Sequence, residues 1–528
     1  MGDKQCAFTS PHFLATEAGM RVLEQGGNAV DAMIAAAAMI AVAYPHMNGL
    51  GGDSFWLVHQ QGSDPWAIDA CGCAASAASP DWYLKRGLHQ VPSRGPSAAL
   101  TMAGTVAGWQ LARDSWAARN PSETLTPLDE LLAPAVDKAN RGITVTDSLA
   151  AASAKVSTEL RESAGYQQVF TRSGAQLEAG EVFLNPGLGA LLYELGVKGL
   201  EEFYRGAVGF RLAKALENSG APIASADFLA YQAKIVTPLV ANIRHGQVFN
   251  LPAPTQGFAS LLLLASYDRL ARDDWDEGDA IHAIIECTKH AFYLREKWIA
   301  DPDQVPINLQ KELSDKAISE AAAKVDLGKV ASWPHFAAGG DTVWMSARDE
   351  NGTMVSFIQS LYWEFGSGVV VPEYGLVWNN RGSSFTLAPG IRQIGPGRKP
   401  FHTLNPALFL HNDGSRIAFG TMGGEGQPQT QAAMMMRHLY LGKSLEQSVA
   451  SPRWLLGRTW GDSDPGLKIE EDLNPRVVLA LRNRGHDVTM VPALNETMGH
   501  AGMVKDDVTF GLAAAADPRS DGLALTAG

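Results

Sequence analysis

The chain reads as an α/β protein whose sheets are covered by helices, and three observations lead there. From about Trp82 to Lys329, patterns of helical period alternate with turns marked by Pro and Gly. After Thr342 the texture changes to short strand patterns separated by turn signals. At 528 residues the chain is too long for one simple core, so intertwined layers or two to three domains are expected.

Taken in order, Leu14 to Gln25 is a first helix, with Leu14, Ala18, Val22 and Leu23 on one apolar face and Gly26-Gly27 as its stop. Asn28 stands where a cap belongs before Ala29 to Tyr44, a helix apolar nearly all round and ended by Pro45. This helix carries Asp31 and falls short of the ~20 residues that span a bilayer, so it is read as a buried core helix. Phe55 to Val58 is a strand. Leu128 to Ala139, Ile281 to Ile299 and Ala317 to Asp326 read as amphipathic helices, and the turn Leu251 to Gly257 opens the apolar helix Phe258 to Leu270. Thr342 to Arg348 and Thr353 to Leu361 are strands joined by Asp349-Glu350-Asn351-Gly352, whose Asn-Gly is a strong hairpin signal. Val369 to Val371 and Leu376 to Trp378 are further strands, and Ala407 to His411 and Arg416 to Gly420 form a second hairpin. Helices return at Gln429 to Leu441 and Pro475 to Arg484.

With 19% charged and 46% hydrophobic residues the chain is globular, and its net charge of -13 argues against nucleic acid or an anionic membrane as partner. The N-terminus has no basic stretch followed by an apolar one, so cytoplasm is the expected compartment. Four cysteines do not make a disulfide framework, and the C-x-C of Cys71 and Cys73 reads as two small buried residues. No metal or cofactor is expected. The loop Asn48-Gly49-Leu50-Gly51-Gly52-Asp53 leads into a strand and not a helix, which weakens a phosphate-binding reading. There is no G-x-x-x-x-G-K-[ST], no G-x-S-x-G and no H-E-x-x-H.

The sharpest local feature is Gly339-Gly340-Asp341-Thr342, a glycine hinge that delivers an Asp-Thr peptide bond onto an apolar strand. A hydroxyl is a poor nucleophile without a nearby base. An α-amino group freed by a cut before Thr342 would titrate at about 7.7–8.0 and sit on the same residue as the hydroxyl. By itself, a threonine that opens a strand is ordinary, and both readings stand at this point.

Further motifs carry a resemblance. Phe13-Leu14-Ala15-Thr16-Glu17-Ala18-Gly19, Gly26-Gly27-Asn28-Ala29-Val30-Asp31-Ala32 and Gly49-Leu50-Gly51-Gly52-Asp53 resemble the large-subunit signature of γ-glutamyltransferases. Asn379-Asn380-Arg381-Gly382-Ser383-Ser384-Phe385, Gly420-Thr421-Met422-Gly423-Gly424 and Asp517-Pro518-Arg519-Ser520-Asp521-Gly522 continue it in family order. The resemblance implies the four-layer α/β/β/α sandwich of N-terminal-nucleophile hydrolases and a precursor that cleaves itself between Asp341 and Thr342. The products would be a helix-rich large chain, 1–341, and a small chain, 342–528, led by the nucleophile. It further implies Thr342 as nucleophile, Gly423 and Gly424 as oxyanion-hole donors, and Ser360 at the family's second-threonine position. Assembly of such two-chain units into a homo-oligomer stays open.

Departures from the family pattern bear on substrate. The family's carboxylate-binding arginine aligns with Cys71, its Ser-Ser pair with His402-Thr403, and its α-amino-binding carboxylate with Ser384. Tyr362, next to Trp363, takes a polar position. Both ends of a glutamyl grip are missing, and Arg381, His402, Thr403, Tyr362 and Ser384 are the expected substrate-binding set. Arg381 is suited to a carboxylate close to the scissile amide, with a structural ion pair as its alternative. His402 is either a donor to substrate or a satisfied core histidine. The resemblance thus implies hydrolysis of a small carboxylate-bearing amide, first of all oxamate to oxalate and ammonia. A broader acylase, a γ-glutamyl hydrolase or transferase, and a non-catalytic binding homologue are the rivals.

Overall fold

The hairpin expected at Asn351-Gly352 lies at the centre of the larger of the two main sheets, beside which the described residues form three small sheets of two or three strands. Gly352 adopts φ 82°, and Asp349 organises the turn, its Oδ1 accepting from the backbone of Asn351 and Thr353 at 3.1 and 2.8 Å. A computed structural model describes residues 5–333, 341–457 and 466–528. The Gly339-Gly340 hinge therefore lies outside the described residues.

In chain order the strands of the two sheets are β1 (Cys6–Ser10), β2 (Asp53–His59), β3 (Trp66–Ala70), β4 (Lys234–Val236), β5 (Leu239–Ile243), β6 (Gly246–Asn250) and β7 (Asp341–Arg348). They continue with β8 (Met354–Tyr362), β9 (Ala407–His411), β10 (Arg416–Thr421), β11 (Ala501–Asp507), β12 (Gly511–Ala516) and β13 (Leu523–Ala527). The seven-stranded sheet runs β13-β1-β7-β8-β2-β3-β4 and the six-stranded sheet β12-β11-β10-β9-β6-β5, with every neighbour antiparallel.

Period-two alternation sorts the side chains into three cores. On β7, Val343, Met345 and Ala347 face a helical layer that includes α1 (Phe13–Glu24), α2 (Ala29–Ala43), α3 (Thr105–Arg119), α4 (Leu128–Arg141) and α5 (Pro186–Lys198). Trp344 points the other way and packs with Phe55, Leu57, Ile358, Leu408, Ala418 and Val504 between the sheets. On the far side Phe409, Ile417 and Phe419 meet α6 (Gly257–Leu270), α7 (Glu277–Trp298), α8 (Gln427–Met435) and α9 (Pro475–Asn483). The result is the four-layer α/β/β/α sandwich.

Every residue of α2 is buried, as its apolar circumference requires, and Asn28 caps it by accepting from Val30 and Asp31 at 3.0 and 2.9 Å. Ile34 and Ile40 are fully buried, contributing ~1.5–3 kcal/mol each. Asp31 meets Arg113 at 3.3 Å, so the one charge on the helix has a partner. Among the described residues no helix is long and apolar enough to cross a membrane.

Some expectations shift. The helix expected over Gln429 to Leu441 is α8 followed by a π turn, Met436–Tyr440, and starts two residues early because Pro428 suits a first helical turn. The helix expected at Ala317 to Asp326 spans Asp315–Ala322, set by Ser314 as cap. The largest difference is where strands arise: β1, β3, β4, β5 and β6 come from the stretch read as helix-rich. The two stretches do not separate in space, since both sheets take strands from each. Cys6 even pairs with Ala527 across the ends of the chain.

Candidate active site

Register brings the site together. Ser360 on β8 pairs with Asp53 on β2, while Gln359 pairs with Val343 on β7 and Ser54 with Ala70 on β3. One step along each ladder, Thr342, Ser360 and Asp53 form a row across three neighbouring strands, continued by Cys71 just past the end of β3, all facing the space between the sheets. At ~4.8 Å per strand the row is roughly 14 Å long.

The glycine-rich loop lets this row close. A Cβ on Gly51 would lie 2.0 Å from the carbonyl oxygen of Val377, and one on Gly52 2.1 Å from that of Ser360. Glycine is therefore needed for the backbone to pass Ser360 and Val377, which is a packing role and not a phosphate cradle.

At one end Thr342 is fully buried, and its Oγ lies 3.3 Å from the Oγ of Ser360. Ser360 Oγ accepts from the Tyr362 N–H at 2.8 Å. A bulge between Gln359 and Tyr362 makes this possible, with Tyr362 held at φ 85°. Such a conformation in a non-glycine residue costs about 1–3 kcal/mol and collects at functional sites. The same turn lays the Tyr362 ring 3.5 Å from the Arg381 guanidinium.

Arg381 is the electrostatic centre. It is 1% exposed, sits on a short 3-10 turn (Arg381–Ser384), and donates from Nη2 to Thr403 Oγ at 3.1 Å. Its Nε and Nη1 are buried with no partner among the described residues. Burial lowers its pKa, against the pull of Tyr362 and Asp53. A buried guanidinium with unused donors is costly to maintain without an anion.

The other expected residues divide. Ser384 Oγ donates to the carbonyls of Arg381 and Phe401, both at 3.0 Å, so its hydroxyl ties the arginine's loop down. His402 has both ring nitrogens engaged: Nδ1 accepts from Leu404 N–H at 3.3 Å, leaving Nε2 as the donor to Asp53 Oδ2 at 3.0 Å. Of the two readings of His402, the geometry is that of the satisfied core histidine. Burial drives its pKa well below 6.5, so the ring is neutral.

Asp53 was part of a motif but had no assigned role. Its Oδ1 accepts from Gly72 N–H at 2.7 Å, and burial raises its pKa to about 7. Only the register across β8 and β2 reveals that it faces the site.

Gly423 and Gly424 follow β10 with φ 120° and 53°, conformations that favour glycine. Among the described residues neither N–H has an acceptor, while the Gly423 carbonyl accepts from Gly426 N–H at 2.8 Å. β10 packs close to β7, for a Cβ on Gly420 would lie 2.3 Å from the Trp344 ring.

Among the described residues two buried groups have metal-ligating chemistry, Asp53–Cys71–His402 and His282–Glu286–His486. In the first, His402 and Asp53 spend their donor atoms on each other, and Arg381 adds positive charge nearby. In the second, Lys289 already holds Glu286 at 2.7 Å. Cys71 is buried as expected, whereas Cys73 is half-buried, and all four cysteines are free.

Residues 15–527 match the family described as Gamma-glutamyltranspeptidase. The chain is 44% identical over 517 residues to the oxamate amidohydrolase proenzyme of Klebsiella pneumoniae subsp. pneumoniae, covering 98% of this chain and 97% of the relative. It is 35% identical over 531 residues to the glutathione hydrolase-like YwrD proenzyme of Bacillus subtilis, covering 99% of each. Its fold superposes on the crystal structure of cephalosporin acylase from Bacillus halodurans with a TM-score of 0.90 at 29% identity, over 99% of this chain and 96% of that one.

Proposed function

The chain belongs to the gamma-glutamyltranspeptidase family, and from that premise we propose that it is a self-cleaving amidohydrolase that converts oxamate and water to oxalate and ammonia, with Thr342 as nucleophile. The coarser statement, an enzyme of the N-terminal-nucleophile type acting as amidohydrolase, acylase or glutamyl-transferring enzyme, follows from the family itself.

In this reading Thr342 Oγ attacks the Asp341 carbonyl, the acyl group passes from nitrogen to oxygen and so frees the Thr342 amine, and water cleaves the resulting ester to release the Thr342 hydroxyl and an Asp341 carboxylate. That amine takes the hydroxyl proton as Oγ adds to the oxamate amide carbon. The Gly423 and Gly424 N–H groups receive the oxyanion, each contributing roughly 3–4 kcal/mol. Collapse returns the proton to the leaving nitrogen and releases ammonia, and water then hydrolyses the oxalyl ester. Ser360 orients the Thr342 hydroxyl.

The observation that carries the choice of substrate is Arg381, whose Nε and Nη1 are buried with no partner among the described residues while its guanidinium stacks on Tyr362, whose backbone N–H donates to Ser360 beside Thr342. An anion held there is close to the nucleophile, as in an acid whose carboxylate adjoins its amide. The 44% identity to an oxamate amidohydrolase proenzyme supports the same reading.

A panel of oxamate, glutaryl amides and γ-glutamyl amides tests it. Ammonia release from oxamate should exceed release from the longer amides. Preference for a glutaryl or γ-glutamyl amide would assign the acylase or glutamyl alternative instead, and no turnover of any of them would leave the non-catalytic homologue.

A further inference from the structure

One buried side chain outside the residues named so far touches both halves of the site. Gln256 lies immediately before α6, in the turn that sequence patterning marks only as a helix start, and it is fully buried. Its Nε2 donates to the Thr403 carbonyl at 2.7 Å and to the Gly424 carbonyl at 2.8 Å. Its Oε1 accepts from Arg295 Nη1 at 2.9 Å, and its backbone N–H donates to the His402 carbonyl at 3.0 Å. Arg295, on α7 and fully buried, sends Nη2 to Glu425 Oε2 at 2.8 Å.

The network leaves one orientation for the amide. Exchanging its oxygen and nitrogen would set an oxygen against two carbonyls and an NH2 against a guanidinium. Its NH2 group bonds one loop that presents Thr403 beside Arg381 and another that carries Gly423 and Gly424, while its carbonyl is used on Arg295 of α7. Those glycines are the softest part of the site, since a glycine backbone at positive φ can rotate at little cost. Donating to the Gly424 carbonyl opposes that rotation, and Glu425, the next residue, is held through Arg295 from the same side.

We infer that Gln256 is a positioning residue that locks the anion-binding loop to the oxyanion loop, with Arg295 and Glu425 fixing its orientation. The inference rests on the roles proposed above for Arg381 and Gly423-Gly424. It also places the lock in the large chain, so that after a cut before Thr342 two small-chain loops are aligned by one large-chain amide.

Full-length wild type, Gln256→Leu and Gln256→Glu are compared by hydrogen–deuterium exchange and by ammonia release from oxamate. In Gln256→Leu, peptides over 401–405 and 421–427 should both exchange about tenfold faster, while α2 and β8 keep wild-type rates. Its kcat on oxamate should fall ~10- to 100-fold from misplacement of the oxyanion donors. Gln256→Glu should regain part of this loss as pH is lowered and the carboxyl acquires a proton to donate, a recovery that general loosening does not produce. Wild-type exchange in either loop, in a variant with a wild-type melting curve, overturns the lock. If Gln256→Leu does not fold, Gln256→Glu carries both measurements. If wild type does not turn over oxamate yet the exchange pattern is as expected, the lock stands and the substrate assignment falls.

Discussion

Arg381 and the pair Arg453–Arg519 are buried to a similar degree and live in opposite circumstances. Arg519 meets Glu470 from Nε at 2.8 Å and Asp517 from Nη1 at 3.1 Å, and Arg453 meets Asp517 from Nη2 at 2.6 Å. Arg453 also donates to the Gly499 carbonyl at 2.7 Å, and Gly499 lies where a Cβ on Gly423 would reach it at 3.5 Å. Among the described residues Arg381 has no carboxylate partner, only a threonine hydroxyl and a tyrosine face. Burial of a charge is tolerated when partners compensate it, so the paired arginines serve the architecture behind the loop of Gly423 and Gly424. Arg381 has no such compensation for Nε and Nη1 among the described residues. Arg381 and Arg519 both lie in motifs of the family resemblance, and motif membership alone does not separate their circumstances.

The most severe test leaves both regions intact and removes the chemistry. Thr342→Ala should run as one uncut band on denaturing electrophoresis and lose at least ~10⁴-fold in turnover of oxamate. A variant that still cuts itself would remove Thr342 from the mechanism. The next test sets the two regions against each other. Arg519→Ala should destabilise the fold by about 3–5 kcal/mol, read from denaturant unfolding, because it leaves the buried Glu470 without its arginine and Asp517 with only Arg453. Arg381→Ala should leave stability near wild type while raising KM for oxamate on the order of 100-fold. The reverse outcome would abolish the distinction drawn between them.

A pH series sharpens the neighbourhood of Arg381. Asp53 has its pKa raised from 3.8 to about 7, so between those values the folded state holds a proton the unfolded state lacks, and this group's contribution falls as pH rises. His402, with a pKa pushed well below 6.5, acts in the opposite sense, its contribution rising with pH up to about 6.5. Asp53→Asn should therefore steepen the rise of melting temperature with pH below 6.5 relative to wild type. Parallel curves would show that Asp53 does not titrate in that window. The smallest effect expected is that of Ser360→Ala, a roughly 3- to 10-fold loss of kcat at unchanged KM, from one hydrogen bond to the nucleophile.

Much of the fold was legible because its signals are local. Asn28 as a cap, Pro45 as a stop, Asn351-Gly352 as a hairpin turn and the all-round apolar Ala29 to Ala43 each depend on a few adjacent residues. The strands before Thr342 were less legible, since β4 has three residues and β5 and β6 alternate weakly, and their pairing partners lie far along the chain. In the site, Thr342, Ser360, Arg381, Thr403, Gly423 and Gly424 were named from motifs. Asp53 and Gln256 were not, because nothing adjacent to either marks what it will face.

By itself the sequence determined periodicity, turn chemistry and the order of motifs, because these follow from residue type at fixed short spacing. The tertiary structure alone decided who meets whom. It aligned Thr342, Ser360 and Asp53 across three strands with Cys71 just past the end of β3, gave Arg519 its carboxylates, and left Arg381 with two nitrogens that have no partner among the described residues. The physical reason is that strand neighbours and buried charge partners are set by register and packing between residues hundreds of positions apart. No short window of the chain contains that information.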